Sequence, residues 1–414
     1  MKKILAVLLV AAMMLSFAAC ASKEAAAPEA AAPEAAAPEA AAPEAEVTPI
    51  KIGMTQPLSD SNGLVGTSAL RGAEIAVEEI NEAGGVLGRP LELVVYDDLS
   101  SPEESVKLAT KLIEVDKIDW ASPSLLSTCI LAAGQFYNEA GIITMATGTS
   151  STWMQKGWEY LWRPSPASGA VMPQTAQYMK DLGIEKIAVF HGVDDSSASG
   201  ALDLIAAAEA LGIEILVNET YVDGDTDFSG QAIKIANSGC DAVFTSMLST
   251  ANASFAKQLR QAGYTGLVFN KEAPSMDNIK AADGALDNFA FIWPYVTYTS
   301  VDEISDSDAR MKAFCERHLE KYGEMPYHDC CYRCYDAIYA LAAAAEAAGS
   351  ADSADMIEAL STKVNAMEGL AGTYDFTQGD QEGMHTYNAW IISDGKFVKF
   401  DQWIAEGGYD ALKG

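Results

Sequence analysis

Lys271 and Glu272 directly follow a short apolar run, residues 267–269, where a buried strand is expected to end. Ligands of open α/β sheets bind just beyond the carboxyl ends of the strands, which makes Glu272 a candidate ligand-binding residue. Neighbouring side chains on an extended chain point in opposite directions, which argues against a single surface ion pair between the two residues. Lys271 is therefore expected to face solvent or to stabilise an anion at the rim of a cleft.

Ser127 and Thr128 follow another predicted strand and open a predicted helix. The free N–H groups and the dipole at the start of a helix favour an anion, and the two hydroxyl groups add hydrogen-bond donors. Taken alone, Ser127 could equally be an ordinary helix cap. These residues therefore give either an anion site or a simple helix start.

Cysteine and histidine are concentrated in residues 328–334, with Cys315 and His318 upstream. Cys331 and Cys334 have the spacing of zinc ligands. However, the segment begins a helix whose small apolar residues are expected to face a sheet. Buried free thiols, one disulfide involving Cys315 and a metal site all remain open, and Cys129 and Cys240 are expected in the core.

The sequence contains none of the common hydrolase, phosphate-binding loop, metalloprotease or dinucleotide-binding motifs. Only four histidines are available, so a histidine-based catalytic site would have few candidate residues. We therefore expect no catalytic residue, resident metal or cofactor. An extracytoplasmic hydrolase is the weaker alternative.

The N-terminal residues have the pattern of an export signal. Lys2 and Lys3 precede an apolar stretch over residues 4–15 and small residues up to Cys20. Residues 18–20 resemble a bacterial lipobox, which predicts a signal peptide over residues 1–19 and lipidation of Cys20. The alternative is an ordinary cleaved signal followed by an unrelated cysteine, and both interpretations imply export.

Residues 20–46 are predicted to be a tether, because the repeat AAAPE places a proline at every fifth position and prevents one long helix. With the lipid on Cys20, the tether would attach an extracytoplasmic body to the cell membrane. The net charge of −31, from 58 acidic and 27 basic residues, would repel phosphate backbones. Nucleic acid is therefore excluded as an expected partner.

From residue 50 onward, strand-like and helix-like segments alternate, the order of a parallel sheet with crossover helices. The alternation restarts after the irregular residues 147–168, which predicts two doubly wound α/β domains with a ligand cleft between them. The predicted strands are residues 50–54, 91–96, the segment ending at 120, 142–146, 186–190, 214–221, 242–245 and 267–269. The predicted helices are 66–83, 102–115, 127–140, 172–182, 198–211, 228–237 and 251–262.

Several segments together resemble the leucine/isoleucine/valine-binding protein family, which are type I periplasmic binding proteins that serve ABC importers. These segments are residues 50–53, 57–58, 70–85, 91–98, 224–229, 259–263 and 321–323. The resemblance implies two α/β Rossmann-like lobes joined by three hinge crossovers, near residues 163–168, 294–297 and 376–386. Lobe 1 would comprise residues 47–167 and 295–376, and lobe 2 residues 168–294 and 377–414.

The resemblance also implies roles for individual residues. Ser127 and the Thr128 amide would hold a ligand carboxylate. The loop Gly148, Thr149 and Ser150 would add a backbone carbonyl for the ligand amine and a hydroxyl for its carboxylate. Glu272 would receive the ligand ammonium group.

The sequence departs from the family at the pocket wall, where aromatic residues are often found. Val65, Ser196 and Leu248 stand at these positions, which argues against a branched-chain amino acid. Four tryptophans, Trp153, Trp158, Trp162 and Trp293, either shape a different pocket or pack in the interior. The expected solute is an amino acid or a related small amine or carboxylate, and the expected protein partner is an ABC permease. A sensor that presents its solute to a receptor has the same fold and is the main alternative.

Overall fold

The computed structural model describes residues 47–247 and 249–413. The predicted signal peptide, the predicted tether with Cys20, and Leu248 lie outside the described residues. Among the described residues, no helix combines the length and the apolar character needed to cross a lipid bilayer.

The first part of the chain builds a parallel five-stranded sheet with the strand order β2-β1-β3-β4-β5. Its strands are β1 (Ile50–Gln56), β2 (Leu91–Asp97), β3 (Trp120–Ser122), β4 (Thr144–Met145) and β5 (Leu161–Trp162). Its first three helices are α1 (Gly63–Glu82), α2 (Pro102–Lys111) and α3 (Ser127–Glu139). Six of the seven residues of β1 are buried, as is usual for a parallel strand covered on both faces.

The next part of the chain builds most of a second sheet. Its helices are α4 (Ser168–Asp181), α5 (Asp195–Ala210), α6 (Ser229–Ala236), α7 (Ser249–Gln261) and α8 (Met276–Ala282). Its strands are β6 (Lys186–Gly192), β7 (Glu214–Tyr221), β8 (Ala242–Ser246), β9 (Val268–Asn270) and β10 (Phe289–Trp293). Asp194 caps α5 by accepting a hydrogen bond from the Ser197 N–H, which fixes where the loop after β6 turns into helix.

The remainder of the chain returns to the first sheet and then completes the second. The returning elements are α9 (Ala309–Tyr322), α10 (Cys330–Ala348), α11 (Ser353–Thr362) and the short antiparallel pair β11 (Met367–Glu368) and β12 (Thr373–Tyr374). The completing elements are β13 (Asn388–Ser393), β14 (Lys396–Lys399), α12 (Phe400–Ala405) and α13 (Gly408–Lys413). The second sheet has the order β14-β13-β10-β9-β8-β6-β7, and β13 and β14 are its antiparallel strands.

We call the first sheet with α1–α3 and α9–α11 lobe 1, and the second sheet with its helices lobe 2. The chain crosses between them after Trp162, after Trp293 and after Tyr374, as the predicted crossovers require. Arg163 in the first crossing is fully buried and forms a salt bridge and an isolated strand bridge with Glu382 in the third. Where each lobe ends along these crossings stays a prediction.

The predicted strand and helix order is confirmed, with local differences. The strand predicted over residues 142–146 is only Thr144–Met145, because its neighbours β3 and β5 have only three and two residues to pair with it. The helix predicted over residues 102–115 leaves α geometry at Lys111 and continues as one π-helical turn to Asp116. Lys117 then adopts a left-handed conformation with φ of 54°, which ends the segment. The antiparallel strands β13 and β14 were not predicted.

Each sheet contains a point where the strand order reverses. In lobe 1 this point lies between β1 and β3, and in lobe 2 between β6 and β8. Loops at the carboxyl ends of strands on either side of such a point leave a crevice for a ligand. The two crevices, together with the start of α10, supply the cavity described below.

A glycine fixes how closely α10 packs against α1. A Cβ atom added to Gly72 would lie 1.9 Å from the carbonyl oxygen of Cys331, in the first turn of α10. A side chain larger than hydrogen would push apart the two helices and displace the start of α10.

We predict that Gly72→Ala lowers the free energy of unfolding by about 1–3 kcal/mol, the usual cost of overpacking. Urea unfolding followed by circular dichroism measures this change. The control is Gly230→Ala in α6, where an added Cβ meets nothing within 4 Å. Alanine favours a helix over glycine by about 1 kcal/mol, so the control should be neutral or stabilising. Equal losses in both variants would contradict the close approach of α1 and α10.

Candidate ligand-binding cavity

A cavity of about 300 Å³ lies where the two lobes face each other. Its walls are formed by segments that follow β1–β4 in lobe 1 and β6–β9 in lobe 2, and by the start of α10. This volume is at the small end of the range for ligand pockets, which indicates a small solute. The apolar part of the lining consists of Val65, Leu125, Leu126, Val193, Val222 and Met247.

The structure brings most of the predicted site residues together. The cavity is lined by Val65, Ser127, Thr128, Thr149, Ser196 and Glu272. None of the described lining residues is a phenylalanine, tyrosine or tryptophan, and the tryptophans considered above lie elsewhere. Trp153, Trp162 and Trp293 are buried in the interior.

Gly148 and Ser150 do not line the cavity but shape the surroundings of Ser127. The Ser150 N–H donates to Ser127 Oγ at 3.2 Å. The Gly148 carbonyl accepts from the Ser165 hydroxyl at 3.3 Å. A Cβ on residue 148 would come within 2.7 Å of Ser127 Oγ, so only glycine lets this loop approach the serine so closely.

Ser127 and Thr128 form the first turn of α3, and no side chain caps this helix. The N-cap residue is Leu126, in an extended conformation, so the start of the helix opens toward the cavity. Thr128 Oγ1 also accepts from the Asp195 N–H at 3.3 Å, a hydrogen bond from lobe 2 to lobe 1. The arrangement can hold an anion at the uncapped helix start.

The expectation that Lys271 faces solvent is wrong, because the residue as a whole is 3% exposed. Its ammonium group donates to Thr149 Oγ1 at 2.8 Å, to Ser196 Oγ at 2.6 Å and to Glu272 Oε1 at 2.8 Å. The argument from alternating side chains does not apply, since β9 ends at Asn270 and the chain bends at the next two residues. Lys271 and Glu272 therefore form a partly buried ion pair, in which the side chain of Lys271 is 4% exposed and that of Glu272 is 23% exposed.

Glu272 contacts a second cation from the opposite lobe. Its Oε1 atom also accepts from Thr149 at 2.7 Å, and its Oε2 atom lies 3.5 Å from Arg333 Nη2. Arg333 in turn lies 3.0 Å from Asp329 Oδ1. The charges thus alternate from Lys271 through Glu272 and Arg333 to Asp329, and we call these four residues with His328 the cleft charge network.

Interactions within the network shift the pKa values of Glu272, His328, Asp329 and Arg333 toward their charged forms. Burial alone would raise the pKa values of Glu272 and Asp329, but Arg333 together with Lys271 or His328 outweighs burial and lowers both. Burial would lower the pKa of Arg333, yet the neighbouring carboxylates raise it. Burial likewise disfavours a charged His328, but the Cys330 sulfur and the Asp329 carboxylate raise its pKa to about 10.

His328, Asp329 and Cys330 offer ligand atoms within 4.8 Å of one another, the geometry of a possible metal site. The group is nevertheless organised by its own ion pairs. His328 Nδ1 lies 2.7 Å from Asp329 Oδ1 and 3.1 Å from Cys330 Sγ, and Trp293 Nε1 donates to Asp329 at 2.7 Å. These contacts pair the three side chains with one another and with Trp293, so the group forms part of the cleft charge network.

The cysteines that were left open between thiols and a disulfide are free in the described chain. These are Cys315, Cys330, Cys331 and Cys334, and Cys129 and Cys240 are free as well. Burial raises the pKa of the Cys315 and Cys334 thiols to about 12, so both are unreactive at neutral pH.

Sequence reasoning missed Arg333 as a cavity residue and Asp329 as its partner, because both were considered only as part of a cysteine-rich segment. The sequence nevertheless contained a signal for an ion pair. Arg333 and Asp336 stand in a helix rich in alanine, with Asp329 at its N-cap, and charged residues are rarely buried without partners. This pattern indicates an internal ion pair near the start of α10.

Comparison with known proteins supports one family. The sequence profile described as periplasmic binding protein matches residues 49–396. An amino acid binding protein of Pseudomonas aeruginosa is 27% identical over 237 residues, which cover 57% of this chain and 63% of the relative. The alignment thus spans less than two thirds of that relative.

Solved structures show the same fold. A leucine-binding protein from Thermotoga maritima superposes with a TM-score of 0.73 at 24% identity, covering 84% of this chain and 97% of the other. A branched-chain amino acid transporter substrate-binding protein from Streptococcus pneumoniae, in complex with isoleucine, gives a TM-score of 0.72 at 25% identity. It covers 85% of this chain and all of the other.

The raised pKa of His328 predicts how stability depends on pH. A histidine whose pKa is about 10 in the folded chain, against its ordinary value of 6.5, stabilises the fold fully below pH 6.5. This contribution is lost as the pH rises toward 10. We expect the free energy of unfolding of the wild type to fall relative to that of His328→Gln across this window, by a few kcal/mol. Urea unfolding at a series of pH values measures the difference, and a constant difference would contradict the ion pair.

Proposed function

Because the chain belongs to the periplasmic binding protein family, we propose that it is the extracytoplasmic solute-binding component of an ABC importer. The observation that carries the proposal is the small cavity between the two lobes, at the reversal points of both sheets. The family implies an extracytoplasmic location. Capture of a small solute and its delivery to a permease follow from this architecture.

Hydrogen bonds that join the lobes across the cavity support closure around a solute. Thr149 of lobe 1 bonds to Ser196, Lys271 and Glu272 of lobe 2, and Thr128 bonds to Asp195. The three chain crossings form the hinge in this proposal. Opening would break these bonds and expose the cleft charge network to water, and closing around the solute would restore them.

The proposed solute is an amino acid or a related small carboxylate. Its carboxylate would bind at the start of α3, to Ser127 Oγ and the first N–H groups of the helix. Its body would contact the apolar wall that includes Val65, Leu126 and Met247. The relatives are solute-binding proteins and not enzymes, and we propose that this protein likewise releases its solute unchanged.

We also propose that Cys20 carries a lipid that attaches the protein to the membrane through residues 20–46. The support is the lipobox-like sequence that ends at Cys20. We predict that cells expressing the Cys20→Ser variant release the protein into the aqueous fraction, because the acylated thiol is missing. Metabolic labelling with a radioactive fatty acid measures the modification directly. Equal labelling of wild type and variant would refute the anchor.

The binding proposal is tested with L-leucine, L-isoleucine, 4-methyl-2-oxopentanoate and benzoate as probes. Ligand at a hundredfold excess over its Kd should stabilise the fold by about 2.7 kcal/mol, seen as a higher Tm. Ser127→Ala should weaken the best-binding probe by about 1.5–3 kcal/mol in calorimetry, the usual value of a hydrogen bond to a charged group.

A serine outside the cavity provides the control for this measurement. Ser275 caps α8, and Ser275→Ala should lower stability by about 1 kcal/mol without changing the affinity. If none of the four probes raises the Tm, the proposed solute class is wrong. If Ser127→Ala and Ser275→Ala affect affinity equally, the carboxylate does not bind at α3.

A further inference from the structure

The cleft charge network already supplies what a ligand amine would supply to Glu272. Both oxygens of this carboxylate face protein cations, since Oε1 lies 2.8 Å from Lys271 Nζ and Oε2 lies 3.5 Å from Arg333 Nη2. Oε1 accepts a further hydrogen bond from Thr149 at 2.7 Å. A ligand ammonium group placed here would meet two like charges that are both at least nine-tenths buried.

The pairing of charges in the network also disfavours a ligand ammonium group. Lys271 and Arg333 are two cations, and Glu272 and Asp329, with which they pair, are two anions. Two further acids of the lining lie apart from the network. Asp223 is exposed, and Asp194 accepts from the Ser197 N–H as the cap of α5. Neither Glu272 nor Asp329 therefore has an unpaired negative charge to offer a ligand ammonium group.

Arg333 also has unused hydrogen-bonding capacity. Its Nε atom is buried and has no hydrogen-bond partner among the described residues, although Nη1 donates to the Thr147 carbonyl at 3.2 Å and Nη2 to Asp329. Because Arg333 lines the cavity, its guanidinium charge is a suitable partner for an oxygen atom of a solute.

The cavity lacks the other feature that favours an ammonium group. No described lining residue is a phenylalanine, tyrosine or tryptophan, so none of these rings is available for a cation–π contact with the solute. The lining offers instead hydroxyl groups, N–H groups, two buried cations and aliphatic side chains. These are groups that complement oxygen acceptors on an apolar body.

We propose that the solute is a small organic acid with an apolar body and no free amino group, which presents oxygen atoms to the Lys271 and Arg333 end of the cavity. This proposal rests on the proposed function and narrows its solute class. Glu272 then serves to position Lys271 and Arg333, and is not the receptor of a ligand amine. Lys271 is the residue that determines specificity against amino acids.

Matched ligands that differ only at the α-carbon test the proposal on the wild-type protein. The first series is L-leucine, 4-methyl-2-oxopentanoate and 4-methylpentanoate, and the second is L-phenylalanine, phenylpyruvate and 3-phenylpropionate. Calorimetry should show the amine-free acids binding about tenfold tighter or more than the amino acid in at least one series. Tighter binding of the amino acids would overturn this inference and leave the proposed function intact. Absence of binding in both series would overturn the proposed function and this inference with it.

Substitution of the specificity residue provides the second test. Lys271→Met removes one cation and frees Glu272 Oε1, so the preference for the oxo acid over the amino acid should fall by about tenfold. Lys271→Arg should retain the preference. Lys280→Met is the matched control, because Lys280 is exposed and pairs with Asp277 at 3.5 Å outside the cavity. If Lys271→Met folds and its preference is unchanged, Lys271 does not determine specificity. If Lys271→Met does not fold, the ligand series on the wild type decides the proposal.

Discussion

Ionised side chains that are removed from water must each meet an opposite charge, and this requirement governs the cavity between the two lobes. Lys271 and Glu272 come from lobe 2, and Arg333 and Asp329 come from lobe 1. Because the alternating charges cross the cleft, the two lobes stabilise each other through this network. Any solute that enters must complement the groups of the cavity lining as they are after these ion pairs have formed.

The parts of the fold around the network hold its members at bonding distance. Gly72 lets α10 approach α1 and so places Arg333 at the cavity wall. Gly148 lets its loop pass close to Ser127, and the next residue in that loop, Thr149, hydrogen-bonds to both Lys271 and Glu272. The same short loop therefore connects the uncapped start of α3 with the charged end of the cavity. One end of the cavity suits a carboxylate, and the other suits further oxygen atoms.

Strands and helices that depend on local sequence pattern could be predicted from the sequence. The strand predicted over residues 214–221 has the bounds of β7, because alternation and flanking turns are encoded within the segment itself. The role of Lys271 could not be predicted in this way. Its partners Thr149 and Ser196 are 122 and 75 residues away in sequence, and only the packing of two lobes brings them together. Arg333 was overlooked for the same reason, since its partner Glu272 lies 61 residues away on the other lobe. Ser127 and Thr128 were found because a helix start after a strand is a local feature.

The most direct test of the account is the chemical identity of the solute that the protein carries. Mass spectrometry of the small molecules released when the protein is purified from its own cells and denatured would reveal it. The account predicts a small organic acid without an amino group, in about equal amount to the protein. An α-amino acid recovered in that amount would contradict the conclusion that the cleft charge network replaces a ligand amine.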